Sequence, residues 1–227
     1  MDKRTTAANG SRNFSVTGVS KATEIERIVR GPEPRHEPSD SELIKRFLEG
    51  SEEAFNRLVL RHQRRAYNIA YRFLSQHEDA LEVAQDAFVR AYRNLRRFKG
   101  RSSFKTWLYK IILNLARNRY RQRVSRGELK KVSLDNPKQY EDSEGPREIE
   151  DRTLSPMREI GGREIAQQIQ RGLMQLAAEH RQVIILRHIE GLSYAEMSEV
   201  LQCAEGTVKS RLHRARLELR DVLRELL

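Results

Sequence analysis

The chain has 227 residues, 43 Lys+Arg against 32 Asp+Glu, a formal charge of +11 and a pI near 10.0. With one third of its residues charged and 38% hydrophobic, it is too polar for one large core and suits two small ones with extended segments. Its longest aliphatic run, Val183–Leu186, is far short of the roughly 20 residues of a membrane span, and a single cysteine, Cys203, excludes an internal disulfide framework and a cysteine-based structural zinc.

Residues 1–38 carry Pro32, Pro34, Pro38, Gly10, Gly18 and Gly31 without sustained apolar periodicity. They read as a disordered tail with a short helix around residues 22–29. Order is expected from Ser39, where Ser39-Asp40-Ser41-Glu42 forms a capping box. Gly50 and Ser51 end one helix and begin the next. Phe55, Leu58, Val59, His62, Ala66, Ile69, Ala70 and Phe73 then mark one apolar helix face, with His62 as a packed histidine. After a break near Gln76 comes a helix carrying Ala80, Ala84, Ala87, Phe88, Ala91 and Leu95. Gly100–Ser103 is a loop. A fourth helix, with Phe104, Trp107, Leu108, Ile111 and Leu115 on its apolar stripe, runs to Ser125. Residues 39–126 thus form a first helical domain.

Residues 127–162 break periodicity with Gly127, Pro137, Gly145, Pro146, Pro156, Gly161 and Gly162. Between Asp135 and Asp151 lie seven acidic and two basic residues, the pattern of a flexible acidic linker. Helical pattern returns over 163–227. Ile165, Ile169, Leu173 and Leu176 mark one helix and Val183–Leu186 a second, which ends at Gly191. Ser193-Tyr194-Ala195-Glu196 is another capping box and opens a short helix to Leu201. Gln202–Gly206 is a tight connection, in which Cys203 reads as a small packed residue, and a last helix starts at Thr207. The expected fold is all-α: two small helical domains that do not share a core, joined by the acidic linker.

The positive charge is concentrated. From Ala87 to Gly127 there are thirteen Lys+Arg and no Asp or Glu, whereas a merely solvated helix surface mixes signs. Lys110, Asn114, Arg117, Asn118 and Arg121 share one helix face. Basic groups there suit phosphates, and Asn offers a donor and an acceptor to a base edge. Tyr109 and Tyr120 fall off the apolar stripe and are candidates for stacking on exposed bases. In the last helix, Val208, Leu212, Ala215 and Leu219 form a narrow apolar stripe, opposite Lys209, Ser210, His213 and Arg214. A short helix, a tight turn and a helix so decorated make a helix-turn-helix able to enter a major groove. The six histidines lack HExxH-type spacing and there is no G-x-x-x-x-G-K-[ST] loop, so no cofactor, metal site or catalytic activity is expected.

The run Phe98-Lys99-Gly100-Arg101-Ser102-Ser103-Phe104-Lys105-Thr106-Trp107-Leu108-Tyr109-Lys110-Ile111 resembles the FRGxSSFxTWLYRI stretch of extracytoplasmic-function (ECF) sigma factors. Ala84–Tyr92 looks like their core-polymerase-binding helix. Gly191–Glu196 and Gly206–Arg216 resemble their second-domain signature. The likeness covers about residues 40–126 and 163–227. It implies a cytoplasmic partner of core bacterial RNA polymerase and promoter DNA, with sigma region 2 opening the −10 element and sigma region 4 reading the −35 element. By the same resemblance Glu82, Gln85 and Asp86 lie on the core-binding surface. Lys110, Asn114, Arg117, Asn118 and Arg121 lie near the −10 DNA, and Lys209, Ser210, His213 and Arg214 lie in the −35 groove. An anti-sigma factor is implied as a further partner, and the linker is implied to run near the polymerase active cleft. One departure is Leu81-Glu82, where the family carries an acidic pair. A helix-turn-helix regulator acting without polymerase is the alternative; it explains the C-terminal pattern but not the acid-free block.

Overall fold

A computed structural model describes residues 37–127 and 156–226. Residues 1–36 of the N-terminal tail, with its expected short helix, and the acidic stretch 135–151, with its expected path, lie outside the described residues.

The first four helices follow their caps and apolar periods. Helix α1 (Asp40–Leu48) is held by the Ser39 capping box, in which the Glu42 carboxylate accepts from the Ser39 N–H at 2.7 Å. Gly50, at φ +106°, turns the chain into α2 (Glu52–Leu74), which Ser51 caps. Ser75 closes α2 in the left-handed region, and α3 (His77–Asn94) starts after Gln76. A 3₁₀ turn (Leu95–Arg97) and a loop lead to α4 (Phe104–Ser125), capped by Ser103. Phe47, Phe55 and Tyr92 meet with ring centroids 5.1–5.5 Å apart and pin α1, α2 and α3 together. His62 is buried and bonds Asp40 through Nε2 at 2.8 Å, while Arg61 reaches the other Asp40 oxygen at 2.7 Å. Burial pushes the Asp40 carboxyl up, but the His62 and Arg61 hydrogen bonds outweigh it and hold the group below its ordinary value.

Helix α5 (Pro156–Gln175) begins inside the stretch read as linker. It is followed by α6 (Ala178–Ile184), a π-helical turn (Ile185–Ile189), α7 (Tyr194–Leu201) and α8 (Glu205–Leu226). Ser193 and Glu196 form the second capping box as expected. Gln202, at φ 54°, closes α7 in the left-handed region, and α8 starts two residues ahead of Thr207. Helix α8 packs on α5, α6 and α7. Gly172 permits the α5–α8 approach: a Cβ there would lie 3.1 Å from Leu223 Cδ2 and 3.3 Å from Leu219 Cδ1. Gly172→Ala needs only small shifts of these flexible tips, whereas Gly172→Val overpacks the crossing. The valine variant is expected to lose about 1–3 kcal/mol in urea unfolding. An unchanged midpoint for it would show that the crossing is not tight.

The all-α fold of two helical domains is as expected, and the described helices of the two also pack on each other, so their buried side chains are not wholly separate. The described residues from Ser39 on form one compact unit, with a single cluster of buried side chains among them. Helix α2 contacts α5, α6 and the π turn, and α4 contacts α7. The reason is polar as well as apolar. Arg181 of α6 is 0% exposed, and its guanidinium donates to the carbonyls of Leu173 (2.8 Å), Met174 (3.0 Å), Leu176 (3.1 Å) and, across the halves, Phe73 (2.6 Å). It also lies 5.2–5.4 Å from the ring centroids of Phe73 and Tyr120. The cation therefore sits at the carbonyl ends of both α2 and α5, where the two helix dipoles are negative.

Candidate nucleic-acid interface

Three exposed surfaces carry the residues singled out in the sequence. The first is the outer face of α3. Gln85 and Asp86 are exposed beside Leu81, Val89 and Tyr92, while Val83, Ala84, Ala87 and Phe88 are buried. Glu82 is also exposed, but its carboxylate pairs with Arg119 of α4. Asp79 takes Arg119 at 3.2 Å and Arg123 at 3.4 Å. Asp79 and Glu82 thus tie α3 to α4, and Gln85 and Asp86 project beyond them.

The second surface is the basic face of α4. Asn118 and Arg121 are exposed, whereas Lys110, Asn114 and Arg117 are half-buried. Asn114 Oδ1 accepts a hydrogen bond from Arg117, which fixes both side chains. Burial first, then the nearby Arg121 and Arg211, pull the Arg117 guanidinium below its ordinary value, with Glu179 opposing. Arg211 belongs to α8 and pairs with Glu179 at 3.3 Å. Arg117, Arg121 and Arg211 therefore gather positive charge from both halves in one place, a field suited to a polyanion.

The tyrosines expected to be available for stacking are not. Tyr109 is 0% exposed and donates its hydroxyl to Glu190. Burial, then the Glu190 hydrogen bond and charge, push that hydroxyl far above its ordinary value, so it remains a donor at any physiological pH. Tyr120 is half-buried, edge-on to Phe73 and under Arg181. Phe104 is buried as expected, while Trp107 is only partly covered and packs on Phe98 and Phe104.

The third surface is α7–turn–α8. Val208, Leu212 and Ala215 are buried, which turns Lys209, Ser210, His213 and Arg214 outward on the N-terminal half of α8. Two cations flank the Tyr194 ring: Arg187 at 5.1 Å and Lys209 at 5.5 Å from its centroid. Arg187 also donates to the Leu192 carbonyl at 2.7 Å. His188 accepts from Arg216 at 3.1 Å. Burial, then Arg216 and Arg187, hold its imidazole below the ordinary value, hence neutral at pH 7. Cys203 is partly buried in the turn, its backbone bonded to Ser198. The sequence reading missed Arg187 and Arg211, whose only signal was a basic residue beside a helix-turn-helix. Among the described residues there is no cluster of His, Cys, Asp and Glu that could hold a metal ion. No described helix is long and apolar enough to cross a membrane.

Helices presenting these surfaces match known families. Residues 58–126 match Sigma-70 region 2, and residues 166–219 match Sigma-70, region 4. The chain is 37% identical to the RNA polymerase sigma-H factor of Pseudomonas aeruginosa over 188 residues, covering 83% of this chain and 95% of that one. It is 34% identical to the ECF RNA polymerase sigma-E factor of Escherichia coli over 178 residues, covering 78% and 91%. Among solved structures it is similar to CnrH in complex with the cytosolic domain of CnrY, with TM-score 0.60, 26% identity and coverage of 83% and 99%. It is also similar to the sigma factor RpoE of Bartonella quintana in complex with the anti-sigma factor NepR, with TM-score 0.52, 27% identity and coverage of 75% and 96%.

Proposed function

The chain belongs to the ECF RNA polymerase sigma factors, and from that premise we propose how its surfaces divide the work of transcription initiation. The outer face of α3, with Gln85, Asp86 and the rim residue Glu82, docks on core RNA polymerase in the cytoplasm. Helix α4 holds the −10 element through Asn114, Asn118 and the cations Lys110, Arg117 and Arg121. Helix α8 enters the −35 major groove with Lys209, Ser210, His213 and Arg214. The chain itself performs no catalysis. Unstacking the −10 region costs a few kcal/mol per base step, and binding energy from polymerase and DNA supplies it.

The observation that carries this reading is the outward face of α8. Four polar and basic side chains project from its first turns while Val208, Leu212 and Ala215 anchor the opposite side. A regulator acting without polymerase would use α7 and α8 alike, but it leaves the matched region 2 without a role. Because two structural relatives are complexes, one of them with an anti-sigma factor, a protein inhibitor of this chain is part of the proposal.

Core docking is tested by charge reversal at Asp86. Asp86→Arg is expected to weaken binding to core polymerase at least about tenfold, the equivalent of 1.4 kcal/mol. Its melting temperature stays near that of the parent, since the side chain is exposed. Normal core affinity in the variant would remove this face from the proposed interface.

A further inference from the structure

We propose that Tyr194, the first residue of α7, is a positioning residue for promoter recognition. Its ring holds the Lys209 ammonium in one place as α8 enters the −35 groove, so that Lys209 reads a base edge and does more than neutralise phosphate. The consequence for promoter choice rests on the reading of α8 as the −35 helix; the hold itself does not.

A lysine is a poor reader on its own. Its ammonium is a compact charge on a flexible stem, and an exposed lysine spreads over many rotamers. Lys209 is exposed in the first turns of α8. Glu205 lies one helical turn before it, at the spacing where a carboxylate draws a lysine back along its own helix. A lysine so drawn adds charge to the field but offers no fixed donor to a base. The Tyr194 ring opposes both effects. Lys209 Nζ lies 5.5 Å from the ring centroid, within the range at which an aromatic face attracts a cation. The contact spans the turn between α7 and α8, so it ties the groove-facing side chain to the supporting helix.

The ring is a fixed point. Ser193 and Glu196 form the capping box that sets the start of α7, and Tyr194 packs partly buried against the core. Arg187 is a second cation, 5.1 Å from the same centroid, and its bond to the Leu192 carbonyl at 2.7 Å tethers it. Like charges repel, so the tethered guanidinium restricts where about the ring the ammonium can settle. The attraction belongs to the ring face and not to the hydroxyl, so phenylalanine can supply it.

The hold is read first in the unaltered full chain. In NMR spectra of the chain with isotope-labelled lysine, the Lys209 signal is assigned by its loss in Lys209→Arg. The ring current is expected to displace the Lys209 ε-methylene protons upfield of those of Lys45, an exposed lysine on α1. The displacement persists in Tyr194→Phe and disappears in Tyr194→Leu. Function is read in holoenzyme reconstituted from core RNA polymerase and the full chain. The readout is the ratio of its affinities for a promoter of this factor with the −35 element intact and scrambled. Tyr194→Phe leaves that ratio near the parent's. Tyr194→Leu lowers it about two- to fivefold, the equivalent of one exposed cation–π contact. Affinity for the scrambled promoter stays the same, because the Lys209 charge remains. Lys209→Ala lowers the ratio at least about fivefold, and adding Tyr194→Leu to it costs nothing further.

A Lys209 signal coincident with that of Lys45 overturns the hold, with no ring variant required. A Tyr194→Leu loss of the same size in the Lys209→Ala background overturns the positioning and leaves the ring a packing residue. A loss in Lys209→Ala with none in Tyr194→Leu also overturns the positioning but spares the reading of α8. Unchanged discrimination in Lys209→Ala removes Lys209 from that reading, and the positioning role falls with it even where the upfield displacement is present.

Discussion

Replacing Lys209 and Arg214 together by alanine is expected to lower transcription from a −35-dependent promoter by at least roughly 30-fold. Each groove contact of this kind is worth about 1–3 kcal/mol, so two lost together cost at least about 2 kcal/mol. Both side chains are exposed, and the α8 stripe of Val208, Leu212 and Ala215 that positions them is left intact. Lys209 also rests on the Tyr194 ring, a contact worth about 0.5–1 kcal/mol at an exposed site, so the fold loses little. Arg220, exposed further along α8 and paired with Asp221, is the matched control, and Arg220→Ala leaves the rate near that of the parent. Equal losses from both variants would mean that α8 contributes general charge and not a docked helix. No loss from the double variant would remove α8 from promoter recognition.

The largest stability effect is expected at Arg181. Arg181→Ala removes the donor shared by four carbonyls and empties the space that the guanidinium fills against the Phe73 and Tyr120 rings. The penalty is about 3–5 kcal/mol, comparable with removing one partner of a buried ion pair. For a chain of this size that lowers the melting temperature by roughly 6–20 °C. Tyr109→Phe loses one hydroxyl bond and is expected to cost only about 1–2 kcal/mol. Thermal melts of the two variants beside the parent check the order. An Arg181→Ala penalty no larger than that of Tyr109→Phe would show that the guanidinium does not organise the packing of α2 against α5.

Helix boundaries were legible because their chemistry is local. Ser39 with Glu42 and Ser193 with Glu196 cap the helices they were read to cap, and Val208, Leu212 and Ala215 are the buried stripe of α8. What local pattern does not reveal is which element covers a second apolar face. Tyr109, Ile112, Leu113, Ala116 and Tyr120 recur at three- and four-residue steps, a second stripe on α4 beside the one through Phe104, Leu108 and Leu115. All of that second stripe is buried or half-buried, and Trp107 and Ile111, assigned to the first, are only partly covered. A helix apolar on two sides packs on two sides, and that pattern was the available sign of the joined core. Arg181 gave a similar sign, lying three and four residues before the buried Ile184 and Ile185. Its role escaped the sequence because its partners are backbone carbonyls from separate helices, which no side-chain pattern encodes. Among the site residues, Lys209, Ser210, His213 and Arg214 lie where periodicity put them. The pairing of Glu82 with Arg119 depends on how α3 crosses α4 and is not readable from either helix alone.

The most direct test of the account is run-off transcription from a promoter of this factor, reconstituted with purified core RNA polymerase. The account predicts a discrete run-off product only when core and the full chain are both present, none from core alone, and no stable promoter complex from the chain alone at physiological salt. A product of equal yield and position from core without the chain would contradict it, as would occupation of the promoter by the chain with no contribution from polymerase.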